Sequence, residues 1–290
     1  MPYRVTLSNS AFDKAFEKEA SQYYGLSIQL SLDGFSFCVL DPLQKKYIGI
    51  QSYHFQHMVS NGQLNTAIND LIPTVDLLGL PYESIKILWE THKSTLVPQP
   101  FFDAGNHADY LRMNHQIELG DVSLDDHLTI LEARNVWLIP DIIRNSLKKY
   151  FPSAVIHHHG SVLIETLLTM NKNRDDGNGV FVYVRKTWFD IVVVSGNQLV
   201  FYNSFRYQAK EDFIYFLIYI LEQLALNPET IKLVFLGEIL KLSQIYDIAN
   251  KYVRHVSFGN QTQDFRLSYV FDEIPEHFYF NLLNHYRCEL

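Results

Sequence analysis

One pattern of strands and helix occurs twice in this chain, and its second copy is the clearer. Residues 180–186, 189–194 and 199–206 read as three strands, the last two joined by a Ser195-Gly196-Asn197 turn, with a long apolar helix and a fourth strand, 231–236, behind them. Nearer the start, residues 26–32 and 35–40 flank an Asp33-Gly34 turn, which is a hairpin signal, and 45–53 makes a third strand. Ile68, Leu71, Ile72, Val75 and Leu78 then fall at three- and four-residue spacing on one helix face that Gly79 is placed to end, and 85–89 is apolar enough for an interior strand.

The two copies align residue by residue. A displacement of 154 pairs Ile28 with Val182, Leu30 with Val184, Phe35 with Phe189, Phe37 with Ile191 and Val39 with Val193. A displacement of 146 pairs Ile68 with Ile214, Leu71 with Leu217 and Val75 with Leu221, and lays Glu83-Ser84-Ile85-Lys86 over Glu229-Thr230-Ile231-Lys232. Further on, a displacement of 102 sets Ile143 over Ile245 and Lys149-Tyr150 over Lys251-Tyr252. Collinear matches that include polar identities point to duplication. The fall from 146 to 102 places an insertion of 44 residues in the first copy, at about 95–140.

Two lobes follow, 1–172 and 173–290, joined through the polar stretch around Lys172, Arg174, Asp175 and Asp176. Residues 1–24 are expected to form an arm packed on the body, its conformation left open, with Ser10 placed to cap a helix start. Within the insertion, 103–107 reads as a loop, 110–119 as a strand pair and 128–139 as a hairpin turning at Arg134-Asn135. The lobes end on helices at 161–170 and at 275–286, where Pro275 suits a first helical position.

A formal net charge of −8, with no run of Lys and Arg, argues against nucleic acid and against an anionic membrane surface as partners. Two cysteines, Cys38 and Cys288, supply neither a disulfide framework nor a Cys-based zinc site, and fit a reducing compartment. The start, Met1-Pro2-Tyr3-Arg4, leads into no signal-type apolar core, so a cytoplasmic location is expected. The most apolar segment, 213–226, is broken by Glu222 and Gln223 and is too short for a bilayer core of about 30 Å, so membrane insertion is not expected. Its aromatics Phe213, Tyr215, Phe216 and Tyr219 lie all round the helix and read as core.

Three strands, helix, strand, helix, strand and helix, occurring twice with a subdomain inserted in the first copy, resembles the actin-like ATPase superfamily of actin, sugar kinases and Hsp70 chaperones. The resemblance covers residues 26–290 and implies an α/β chain with a duplicated ribonuclease H-like fold. The place of the insertion and the apolar run 135–140 resemble the bacterial cell-division and type IV pilus assembly members. At finer scale, residues 26–37 and 284–290 resemble an uncharacterised bacterial family, the domain-of-unknown-function family 3822.

In ATP-using members of the superfamily, one hairpin turn per lobe holds the phosphates: an Asp, a Gly two residues later and a Thr or Ser bring backbone N–H groups to phosphate oxygens while the carboxylate organises Mg²⁺. The first turn here carries Asp33, Gly34 and Ser36, with Asp and Gly adjacent instead of separated, and reads first as a plain hairpin turn. The second, Arg185-Lys186-Thr187-Trp188, has no acid and no glycine; its cations could meet an anion and otherwise form a solvated strand end. At the adenosine position one glycine remains, Gly237, next to Glu238, which would repel a nucleotide. Asp33, Gly34, Ser36, Arg185, Lys186, Thr187, Gly237 and Glu238 are the candidate nucleotide or anion cleft. No catalytic residue and no metal ligand set is assigned, because His157-His158-His159 follows a strand and alternates in direction, and no nucleophile-elbow, zinc-protease or Walker motif occurs.

The reading that results is a non-catalytic pseudo-ATPase that binds another protein in a scaffold or assembly role, with ATP and Mg²⁺ disfavoured and self-association left open. A second reading is an ATPase or small-molecule kinase in which Asp33 organises the metal and Arg185 or Lys186 serves the altered turn. A third is an anion or metabolite sensor using the same residues without turnover.

Overall fold

The computed structural model describes residues 3–58, 60–172, 178–260, 264–288 and 290. The expected linker residues Arg174, Asp175 and Asp176 lie outside them. The chain divides into two compact units: Met1–Val162 with Gln263–Glu273 and Leu282–Leu290, and Leu163–Thr262 with Ile274–Asn281.

The first unit holds β1 (Arg4–Phe12), β2 (Gly25–Leu30), β3 (Gly34–Asp41), β4 (Lys46–Gln56), α1 (Asn61–Leu71), β5 (Ser84–Trp89), β6 (Ser94–Pro98), α2 (His107–Arg112), β7 (Asp121–Leu128), β8 (Ala133–Pro140), α3 (Asp141–Tyr150) and β9 (Val155–His158). Its main sheet runs β1-β4-β3-β2-β5-β9, with the late strand β15 (Arg266–Leu267) also paired to β4. Strands β2, β3 and β4 are antiparallel neighbours, while β5 and β9 run parallel to β2. Leu26, Ile28, Leu30, Phe35, Phe37 and Val39 alternate onto one face and are buried with Ile68 of α1 and Ile143 and Leu147 of α3. Helix α1 stops at Leu71 because Pro73 offers no N–H to continue the ladder, and two 3₁₀ turns, Ile72–Thr74 and Asp76–Gly79, carry Val75 and Leu78 into the same core.

Helix α4 (His159–Asn171) leads from the first unit into the second, which holds β10 (Asn178–Val184), β11 (Trp188–Ser195), β12 (Gln198–Arg206), α5 (Lys210–Gln223), β13 (Lys232–Gly237), α6 (Gln244–Tyr252) and β14 (His255–Phe258). The sheet order is β12-β11-β10-β13-β14, with β10, β11 and β12 antiparallel and β13 and β14 parallel to β10. The two sheets therefore share one plan: third strand, second, first, fourth, fifth. Ile28 pairs with Phe37 and Ile87, and Val182 with Ile191 and Phe235. In the fourth strand the spatial equivalence is thus displaced by two residues from the alignment that set Ile87 over Leu233. A two-residue slip keeps every side chain on its own face, so the apolar pattern alone does not register it.

Several local expectations are corrected. The arm does pack on the body, as an edge strand on β4 over residues 4–12, with Ser10 inside the strand and not capping a helix; Phe12 packs over Gly49, where an added Cβ would overlap its ring. Residues 107–112 are helical instead of part of a strand pair, because Leu111 is drawn into a small core with Val97, Val136 and Leu138. The β7–β8 turn lies at 129–132, with Glu132 at φ 50°, and Asn135 stands inside β8. Near the end only α7 (Phe280–Asn284) is helical, since Tyr279 at φ 51° interrupts the expected helix. On α5, Phe213 is buried but Tyr215 and Tyr219 are exposed, so the aromatics do not all serve the core.

Candidate functional site

Most of the residues expected at a nucleotide site are held by groups of their own unit. In the first unit the β2–β3 turn is closed by Ser31: its Oγ accepts hydrogen bonds from the Asp33 N–H at 3.0 Å and the Gly34 N–H at 3.2 Å. These are the turn amides for which the resemblance implies a phosphate-binding role. The Asp33 carbonyl in turn accepts from the Phe55 N–H at 2.9 Å, fixing the turn to β4. Gly34 is required by close approach, since a Cβ there would lie 2.6 Å from the Tyr53 carbonyl oxygen; positive φ is not the reason. Ser36 is buried within the sheet between Gln29 and Ser52.

In the second unit the β10–β11 turn holds Arg185, Lys186 and Thr187. Arg185 is not a solvated cation: its guanidinium meets the fully buried Asp190 carboxylate at 2.8 Å, and Asp190 also accepts from the Ser204 hydroxyl. The Arg185 carbonyl accepts from the Tyr207 hydroxyl at 2.7 Å and the Thr187 carbonyl from the Tyr207 N–H at 3.0 Å, while the Lys186 and Thr187 side chains are exposed. A buried carboxylate left without its cation is strongly disfavoured, so Arg185 is committed to Asp190. Gly237 closes β13 at φ 83°, where an added Cβ would overlap the Val184 carbonyl oxygen. Its N–H is donated to the His277 carbonyl at 2.9 Å, and the Glu238 N–H to the Val184 carbonyl at 3.1 Å, with Glu238 itself exposed.

The first unit also carries a buried polar cluster that the sequence reading passed over. One Asp126 carboxylate oxygen accepts from the Ser161 hydroxyl at 2.6 Å and from the His158 N–H at 2.8 Å. Burial raises the Asp126 carboxyl to about 7 against the pull of these two donors. The Asn135 Nδ2 lies 2.9 Å from Ser161 Oγ and 3.0 Å from His158 Nδ1. His158 Nδ1 accepts from the Gly160 N–H at 3.0 Å, so its ring proton is on Nε2, which donates to the Thr91 carbonyl at 2.9 Å. With both ring nitrogens engaged, His158 cannot take a proton from Ser161, and the Ser, His and Asp here do not form a nucleophilic triad. The signal in the sequence was an Asn amid the apolar run of β8 and an Asp on a strand whose neighbours are polar; neither points to a partner far along the chain.

On the neighbouring strand position, His157 Nδ1 lies 2.9 Å from His285 Nε2, and His285 Nδ1 lies 3.2 Å from Ser27 Oγ. Burial, aided by the Lys86 charge, lowers His157 to about 4; burial, then His157 and Lys86, put His285 well below the ordinary histidine value. Lys86 Nζ donates to the carbonyls of His285 at 3.3 Å and Cys288 at 3.1 Å. His157 and His158 thus serve different partners, and among the described residues no group of three or more His, Cys, Asp or Glu could hold a metal ion. No helix of the described residues is long and apolar enough to cross a membrane.

Among solved structures, a Bacteroides thetaiotaomicron protein with actin-like ATPase fold and unknown function is similar at 22% identity and a TM-score of 0.80, over 94% of this chain and 99% of that one. The PilM–PilN type IV pilus biogenesis complex is similar at 10% identity and a TM-score of 0.60, over 92% of this chain and 98% of the matched chain. No curated protein matches. The fold is the duplicated, ribonuclease H-like one of the actin-like ATPases, as the repeat and the common strand order of the two sheets require. The family described as protein of unknown function (DUF3822) matches residues 13–256, and this chain belongs to it.

Proposed function

We propose that this chain is a non-catalytic actin-like protein that works by binding another protein, with phosphate turns closed by its own side chains. The observation that carries the reading is the Ser31 hydroxyl on the Asp33 and Gly34 amides, because a phosphate could reach those N–H groups only by displacing an internal hydrogen bond. The ties of Arg185 to Asp190 and of the Gly237 amide to the His277 carbonyl support it from the second unit. A protein-binding role is supported by likeness of fold to PilM, whose structure is a complex with PilN. Cys38 and Cys288 are buried thiols, which suits a reducing compartment, in keeping with a cytoplasmic location.

Thermal unfolding with millimolar ATP and Mg²⁺ tests the reading. A ligand bound at a hundred times its dissociation constant adds about 2.7 kcal/mol of stability, so an unmoved midpoint is the expected result. A rise of several degrees, or phosphate release that Asp33→Ala abolishes, would favour an ATPase or kinase instead.

A further inference from the structure

The repeat leaves one difference between the two sheets. In the first unit the outer edge of β4 is covered by the chain itself: β1 pairs with it antiparallel from Gly49 to Gln56, and β15 pairs with Lys46 and Tyr47. The corresponding strand of the second unit, β12, pairs with β11 and, among the described residues, with no other strand. Its nine residues, about 30 Å of strand, form the end of the sheet among the described residues. Proteins ordinarily blunt such an edge with charge, proline or shortness. Strand β12 has no proline and one charged residue, Arg206, and its Val200 is 45% exposed.

A line of aromatic rings leads from this edge onto the outside of α5. Phe201 stacks on Phe205 at 6.4 Å, Phe205 on Phe216 at 4.8 Å, Phe216 meets Tyr215 edge-on at 5.3 Å, and Tyr215 stacks on Tyr219 at 6.3 Å. Its outer end is in solvent, with Tyr215 63% and Tyr219 46% exposed. Exposed, mutually stacked tyrosines beside the terminal strand of the sheet combine two features of association surfaces, aromatic area at low entropic cost and a strand edge suited to pairing.

We propose that β12 and the outer side of α5 form a self-association surface that meets the same surface of a second copy, the two β12 strands running antiparallel about a two-fold axis. An antiparallel edge is complementary to itself under two-fold rotation, and the pairing has the sense that β1 adopts on β4. With Arg206 the single charge, self-pairing sets no like charges opposite one another unless the axis passes through that residue. The axis also brings α5 beside its counterpart on the same face of the joined sheet, aromatic side toward aromatic side. This goes beyond the function proposed above and does not depend on the closed phosphate turns.

Light scattering of the full chain from micromolar to submillimolar concentration tests it. The expected result is a mass of two chains, reduced to one chain both by Tyr215→Glu with Tyr219→Glu and by Val200→Lys, with thermal midpoints close to that of the wild type. A wild type that stays single at every concentration, or a dimer that survives both variants, overturns the proposal. Should a variant fail to fold, hydrogen exchange of the wild type decides: β12 amides slow as concentration rises if the proposal holds, and exchange at one rate throughout if it does not.

Discussion

At Asp126 the fold places a carboxyl where water cannot reach it, and its proton becomes part of the stability. The folded chain keeps that proton up to about pH 7, whereas an unburied aspartate releases it near 3.8. Asp126 therefore contributes most below pH 4, loses its contribution as pH rises through 7, and is flat beyond; each unit of the rise is worth about 1.4 kcal/mol. His157 has the opposite sign: its contribution is present above 6.5 and is lost as pH falls through about 4. Asp13, held near 2 chiefly by Lys46 and then by Ser268, loses its contribution only as pH falls from about 4 toward 2. Asp126→Asn keeps an oxygen for the Ser161 and His158 donors and removes the titration. The stability of this variant relative to wild type, from urea unfolding at several pH values, should increase between pH 4 and 7 and then level off. A difference that is constant with pH would mean Asp126 does not titrate in that window.

Among the elements, what was legible before the structure was whatever repeats: the strands, their order, the apolar faces and the helices opposite them. What escaped was set by contacts distant in sequence. Asn135 reads as a turn residue, yet it is held inside β8 by His158 and Ser161, partners on the next elements of the same unit. Residues 110–119 read as a strand pair from their own sequence, yet residues 107–112 are helical, with Leu111 buried beside Val97, Val136 and Leu138. In the candidate site Asp33 and residues 185–187 do lie between paired strands, but Ser31, which occupies the turn amides, lies just outside the motif, and the Arg185 expected at a solvated strand end is tied to Asp190, whose burial its own neighbours do not signal. Glycines separate the turns that constrain the backbone from those that do not. Gly237→Ala would combine strain at φ 83° with overlap on the Val184 carbonyl and should cost about 2 kcal/mol or more, read as a lower urea midpoint. Gly79→Ala, which meets no atom within 4 Å, should shift stability by no more than about 0.5 kcal/mol. Equal effects at the two positions would contradict the geometry.

For the molecule as a whole, duplication accounts for the architecture, and the departures from symmetry indicate what each copy has become. The first unit carries an insertion, residues 94–140 with its own three-stranded sheet, and a covered sheet edge; the second, among the described residues, has the five-strand plan alone. On the proposed reading, the Asp33 and Gly34 amides and the Gly237 amide are already engaged within their own units, and the fold would persist without a nucleotide. Amide NMR during titration with ATP and Mg²⁺ tests this claim most directly. The account predicts that the Asp33, Gly34 and Gly237 resonances stay in place to millimolar ligand; saturable shifts at these amides, with loss of the Ser31 hydrogen bonds, would contradict it.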